Sequence, residues 1–327
     1  MLLVVDHQYA EVRCDRDTLI LVGKGASPRR VPVRLLENVV VMGNIVAESR
    51  VWLTLAEAGV PTTFLPVRGK PRRALISAGF SGGLSIRRRQ FRCADSPDAS
   101  LRVARWIVGS KLESYALPLR RFQKKHPEGC EAFARQRDKT LEKLEEADSV
   151  ESLMGLEGSV ASAWFSLLGK CLAPEWRFTG RNRRPPRDPV NAMLSLGYTL
   201  LMADIHQMLI IDCFDPSLGF LHQDRPGREG LTLDMTELFR AGVDDFVIEM
   251  ASRMTPDEFT RQRGGGCLLT KAARPLFYAA WAGRREQWPR PGPVLRGGSR
   301  ELVSPLRERI RGRIAALRHV IKIALEG

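Results

Sequence analysis

Val150, Leu153, Val160, Trp164 and Leu168 fall on one stripe at helical spacing, and Glu157 lies on the same stripe. Apolar side chains at steps of three and four mark the core-facing side of a helix. A carboxylate on that side constrains the fold, because an unpaired buried charge shifts its pKa and neutralises. Glu157 therefore calls for an Arg or Lys partner, a hydrogen-bond network or a metal ion, and the stripe alone leaves all three open. Two other places repeat the constraint. His222 ends the run Leu-Gly-Phe-Leu-His after the turn signal of Asp215, Pro216 and Gly219. Asp234 and Glu237 are three apart in a helical run from Leu231 to about Met250, so both project from neighbouring points of one face. A structural histidine and a solvated acidic helix edge are the plainer readings of these two places.

Three helical segments of one region thus each bring, or lead into, a carboxylate or an imidazole. One His with two or three carboxylates suits Mn²⁺ or Mg²⁺, whereas tight zinc sites favour thiolates and several His. Cys14, Cys93, Cys130, Cys171, Cys213 and Cys267 are scattered without a Cys-x-x-Cys pair, which speaks against zinc and for a reduced, cytoplasmic protein.

The chain has 327 residues and a net charge of +14. That excess builds a positive field that attracts polyanions, and nucleic acid is the natural partner. The opening Met-Leu-Leu-Val-Val-Asp-His lacks the basic start of a signal peptide. Asp204, His206 and Gln207 interrupt the most apolar run, 190–211, which reads as a core helix and not a membrane span. No Gly-Lys-Ser or Gly-Lys-Thr loop is present, so no nucleotide cofactor is expected. Tyr9, Tyr115, Tyr198 and Tyr278 show no local arrangement of a recombinase nucleophile.

Short β-rich runs at 2–5, 18–22, 30–33, 38–42, 62–65 and 72–76, with one helix at 49–58, give way after Gly79, Gly82 and Gly83 to helical periodicity. The expected class is α+β. A β-rich N-terminal domain would span residues 1–78, a linker 79–84 and an all-α catalytic domain 85–327, with helices near 87–93, 101–122, 131–147, 150–172, 190–211, 231–251, 270–281 and 303–325.

Between Val67 and Arg92 there are eight Lys or Arg and no acid, which makes Arg87 and Arg88 candidates for DNA contact. A second basic stretch, with Arg181, Arg183, Arg184 and Arg187, is broken by prolines and must be a loop. Guanidinium groups grip phosphate in a two-pronged way, fixing backbone register without reading bases. The last helix alternates Arg307, Arg311 and Arg318 with Leu306, Ile310, Ile314 and Leu317; its apolar face should dock on the helical domain.

The order of these features is specific: Glu157; Asp-Pro-Val-Asn-Ala at 188–192, running through Leu-Gly-Tyr; Asp-Pro-x-Leu-Gly-Phe-Leu-His at 215–222; and Leu-x-Leu-Asp-x-x-Glu-x-x-Arg at 231–240. It resembles the CRISPR-associated integrase family called Cas-one over nearly the whole chain. The resemblance implies that Glu157, His222 and Glu237 are metal ligands, that Asp234 is an auxiliary acid, and that Asn191 has an active-site or DNA-contacting role. It further implies a metal-dependent DNA endonuclease and integrase of spacer acquisition. The N-terminal domain would serve dimerisation and the positioning of DNA ends. The implied partners are a second copy of the chain, the small Cas-two protein, prespacer DNA with free 3′ ends and the CRISPR repeat. A DNA-binding scaffold with a structural metal, or a transposon-encoded integrase of the same lineage, are the alternatives.

Overall fold

A computed structural model describes residues 1–6, 9–23, 27–65, 74–76, 83–182, 185–223, 228–289 and 303–326. The chain divides into two compact units, Met1–Ser81 and Gly82–Gly327. The first is built from β1 (Leu2–Val5), β2 (Tyr9–Asp15), β3 (Thr18–Gly23), β4 (Arg29–Pro32), β5 (Asn38–Met42), β6 (Val46–Ala47), α1 (Ser49–Glu57), β7 (Thr62–Leu65) and β8 (Ala74–Ile76). Two four-stranded sheets result, ordered β1-β5-β7-β8 and β4-β3-β2-β6. In the first, β5 pairs in parallel with β1 and β7, and Val39 and Val41 are buried in its centre. Their inward faces share one core with Val12, Leu19, Leu21, Val51 and Leu55. Strand β2 escaped the sequence reading, because Glu11, Arg13 and Asp15 dilute a run in which Val12 and Cys14 mark the buried side.

The second unit comprises α2 (Leu84–Ala94), α3 (Pro97–Ser114), α4 (Ala116–Phe122), α5 (Pro127–Glu142), α6 (Val150–Cys171), α7 (Pro189–Ile211), α8 (Gly230–Glu237), α9 (Arg240–Met250), β9 (Phe259–Arg261), β10 (Cys267–Leu269), α10 (Arg274–Glu286), β11 (Trp288–Pro289), β12 (Val303–Ser304) and α11 (Leu306–Glu326). It is mostly helical, not all-helical as expected: β9 with β10, and β11 with β12, form small antiparallel pairs. Their strands are two or three residues long, too short for alternation to be read.

Two expected long helices are broken. The run at 101–122 divides at Tyr115, since Pro118 has no N–H to give the carbonyl of Ser114 and its ring crowds that turn. The run at 231–251 divides at Leu238 and Phe239, where Phe239 N donates to Thr236 O at 3.0 Å. Helix α7 is long and apolar enough to cross a membrane by length and composition. Here it is the mostly buried centre of the unit, packed by α8, α9, β10 and α11. Asp188 caps it, accepting from Asn191 N at 2.8 Å, with Pro189 in the first turn. Helix α11 lays Leu306, Ile310, Ile314, Leu317 and Ile321 on α3, α2 and α7, so its apolar face docks within the helical unit.

Candidate active site

Helices α3, α6 and α8 pack so that three charged side chains meet. Lys111 of α3 places its Nζ in contact with Glu157 of α6 and 2.5 Å from Glu237 Oε2 of α8. Of the three readings open for Glu157, the structure displays the ion pair. Lys111 is only 2% exposed, whereas the Glu157 side chain keeps 21% of its surface, so the cluster opens to solvent on the Glu157 side. Arg240 closes the opposite side, its Nη2 lying 3.0 Å from Glu237 Oε1 and its guanidinium over the Tyr198 ring at 5.1 Å.

Burial pushes the Glu237 carboxyl up, but Arg240, Lys111 and His222 together outweigh it and bring it down to about 2. Glu237 Oε2 pairs with the Lys111 ammonium, which adds to the pull that keeps this carboxyl ionised.

One turn before Glu237, Asp234 is wholly buried under the loop that carries His222. Its Oδ2 accepts from Phe220 N at 2.6 Å and Leu221 N at 3.1 Å, and its Oδ1 from His222 N at 2.9 Å. His222 Nδ1 lies 2.8 Å from the same Oδ1. The loop crosses α8 at two glycines that no larger residue could replace unmoved. A Cβ on Gly219 would lie 2.6 Å from the carbonyl carbon of Gly230, and one on Gly230 would lie 2.5 Å from His222 O. Gln90 of α2 fixes the start of the loop: its amide donates to Asp215 O and Leu218 O at 2.8 and 2.9 Å and accepts from Asp215 N at 2.8 Å. The basic helix α2 is thereby pinned beside the His222 loop, with Arg88 exposed and Arg87 half-buried.

A wall of hydrogen-bonded polar groups backs the cluster. Asp244 of α9 accepts from Trp164 Nε1 of α6 at 2.8 Å and from the Tyr198 hydroxyl of α7. Burial raises its carboxyl to about 6, against the pull of those two hydrogen bonds.

The described arginines of the loop at 181–187 divide between the interior and the surface. Arg181 turns inward, donating to Asn191 Oδ1 at 2.7 Å and Ser195 Oγ at 3.2 Å, and lies over the Tyr198 ring. Arg187 is exposed, and Arg183 and Arg184 lie outside the described residues. Asn191, to which the resemblance gives an active-site or DNA-contacting role, holds the loop in this structure. It is fully buried, and its amide is taken up by Gly180 O, Asp188 Oδ2, Asn182 N and Arg181. The reading from sequence also passed over Lys111 and Gln90. Lys111 follows Val103 and Ile107 at steps of four, the same signal of a charge on an apolar stripe that marked Glu157.

Two carboxylates facing one cation, beside an imidazole whose Nδ1 is held by a buried acid, form a donor set suited to a hard divalent cation. Among the described residues no three His, Cys, Asp or Glu side chains are gathered as an ion-binding group. The two glutamates close instead on Lys111.

A β-rich unit followed by a helical unit, with two acids and a lysine brought together from three helices beside a loop imidazole, defines a class of protein that the comparisons identify. A family model described as CRISPR associated protein Cas1 matches residues 3–283, and the chain belongs to that family. It is 34% identical over 295 residues to CRISPR-associated endonuclease Cas1 1 of Thermodesulfovibrio yellowstonii, covering 87% of this chain and 90% of the relative. Among solved structures, a casposase bound to integration product superimposes with a TM-score of 0.83 at 20% identity, over 100% of this chain and 91% of that one. A chain of a Cas6-RT-Cas1–Cas2 complex gives 0.77 at 21% identity, over 98% of this chain and 35% of that one.

Proposed function

We propose that the protein is a divalent-metal-dependent DNA endonuclease and integrase of CRISPR adaptation, joining the 3′ ends of prespacer DNA to the CRISPR repeat by phosphoryl transfer. The observation that carries this reading is the convergence of Glu157 and Glu237 on one cationic position, beside a histidine whose ring Asp234 orients. Glu157, Glu237 and His222 Nε2 would hold Mn²⁺ or Mg²⁺, which supplies Lewis acidity toward the target phosphate when bound. Asp234 keeps the imidazole in the tautomer whose Nε2 offers a lone pair. Arg240 holds Glu237 in its ionised form, and the buried wall behind α6 and α8 fixes the distance between the two acids. With water in place of a 3′-hydroxyl the same arrangement would hydrolyse DNA.

Exposed arginines on α2, Arg88 among them, together with Arg87 and Arg187, are the proposed phosphate contacts. The +14 charge supports the same reading of the partner. Assembly as a homodimer with Cas2, and DNA-end positioning by the N-terminal unit, fit the family and the Cas1–Cas2 complex whose fold the chain shares. The likeness to a casposase favours a second reading at the level of fold alone, a transposon-encoded integrase.

The test is an integration assay with labelled prespacer, a repeat-bearing plasmid, a Cas2 partner and Mn²⁺ or Mg²⁺. Joined product that disappears with EDTA and with Glu157→Ala supports the reading. Joining only to plasmids that carry transposon ends would support the second, and no joining with any DNA would leave a scaffold.

A further inference from the structure

Lys111 is a buried ammonium with two carboxylate partners, and both partners are acids that the proposed reading assigns to a divalent cation. Glu157 and Glu237 face two cations of the chain itself, Lys111 and Arg240. Arg240 is anchored away from Glu157, against Glu237 Oε1 and the Tyr198 ring. Among the described residues, Lys111 is the cation in contact with both acids. An ammonium in contact with both carboxylates and a divalent cation bound by both cannot share the gap, because like charges at such distances repel strongly in a buried setting.

From this geometry we infer that Lys111 is a tethered counter-ion that holds the metal position, competes with the metal for Glu157 and Glu237, and must swing out before both acids can bind it. This inference rests on the metal reading of the site. Its consequence is a coupling between ligands. The displaced ammonium loses both partners in a buried place, and a DNA phosphate oxygen brought to the open, Glu157 side would supply a new one. Metal should therefore bind weakly to the protein alone and more tightly once DNA is present, and Lys111 should carry part of that difference. A lysine that merely braces the two acids would act in the opposite sense, since its removal would let them repel and spoil the site.

The experiment measures Mn²⁺ affinity by electron paramagnetic resonance on the full chain, with and without a short DNA duplex, for wild type, Lys111→Met, Lys111→Gln and Glu157→Ala. Both Lys111 variants should bind Mn²⁺ roughly tenfold more tightly than wild type in the absence of DNA, and the gain produced by DNA should shrink. Equal or weaker binding by folded Lys111 variants would overturn the inference while leaving the metal reading intact. Mn²⁺ that binds none of the proteins more strongly than Glu157→Ala would remove the metal reading and this inference together. Wild-type protein supplies a check that needs no variant: reductive methylation of Lys111, followed by mass spectrometry, should rise at saturating Mg²⁺ without DNA, where the displaced ammonium has no new partner to shield it. Unchanged labelling would count against displacement.

Discussion

His222 gives both its backbone N–H and its ring Nδ1 to one oxygen of Asp234, at 2.9 and 2.8 Å. Two further backbone N–H groups donate to the other oxygen, so Asp234 acts purely as an acceptor and Nδ1 carries the shared proton. An amide in its place would turn an NH₂ group toward backbone donors. Asp234→Asn should therefore lower Mn²⁺ affinity by about 10- to 100-fold, and higher Mn²⁺ should restore part of the strand-transfer rate. Glu237→Gln should not respond to added Mn²⁺. Rates for the two variants across a Mn²⁺ titration decide the order, and the reverse ranking would move the ligand role to Asp234.

Gly219 lies against the Gly230 backbone, which has no flexible end to give way. Gly219→Ala should lift the loop from α8, loosen the hold of Asp234 on His222 and destabilise the fold by about 1–3 kcal/mol. Urea unfolding midpoints, with strand transfer measured beside them, test this. A variant with wild-type stability and rate would show that the loop seats elsewhere.

Two buried acids give pH dependences of opposite sign. Glu237 is held down at about 2, below the ordinary value of 4.5, so its stabilising contribution is complete above about 4.5 and is lost as the pH falls toward 2. Asp244 is raised from 3.8 to about 6, so the folded state binds its proton more tightly than the unfolded chain does. Stability accordingly falls as the pH rises from about 4 to 6. Tyr198→Phe removes a hydrogen bond that favours the charged Asp244, and should destabilise by about 1–3 kcal/mol at pH 8, where that acid is ionised. The loss should be smaller at pH 5. Equal losses at both values would mean that Tyr198 acts through packing alone.

Arg187 and Arg181 should separate binding from folding. Arg187 is exposed, and Arg187→Gln should reduce the slope of DNA affinity against salt by roughly one unit while leaving the melting temperature unchanged. Arg181 is spent on Asn191, Ser195 and Tyr198, so Arg181→Gln should lower the melting temperature first. Fluorescence anisotropy over a salt series and thermal melts distinguish the two outcomes.

Local spacing in the sequence was enough to find the helix of Glu157, the acidic pair on α8, the docked apolar face of α11 and the parallel strands at Leu2–Val5, Asn38–Met42 and Thr62–Leu65. Each depends on residues within a turn or two of one another, which a period of two or of three to four records directly. The same spacing showed that Glu157 needed a partner but not which one. Lys111 lies on another helix, and only the packing of α3 against α6 and α8 puts its ammonium between the two acids. Arg181 and Asn191 make the same point from the other direction. Sequence marks them as polar groups in a loop and a first turn, and tertiary hydrogen bonds turn both inward. A buried charge announces itself along the chain because it breaks a local pattern, whereas its partner is chosen by whichever elements the core draws together.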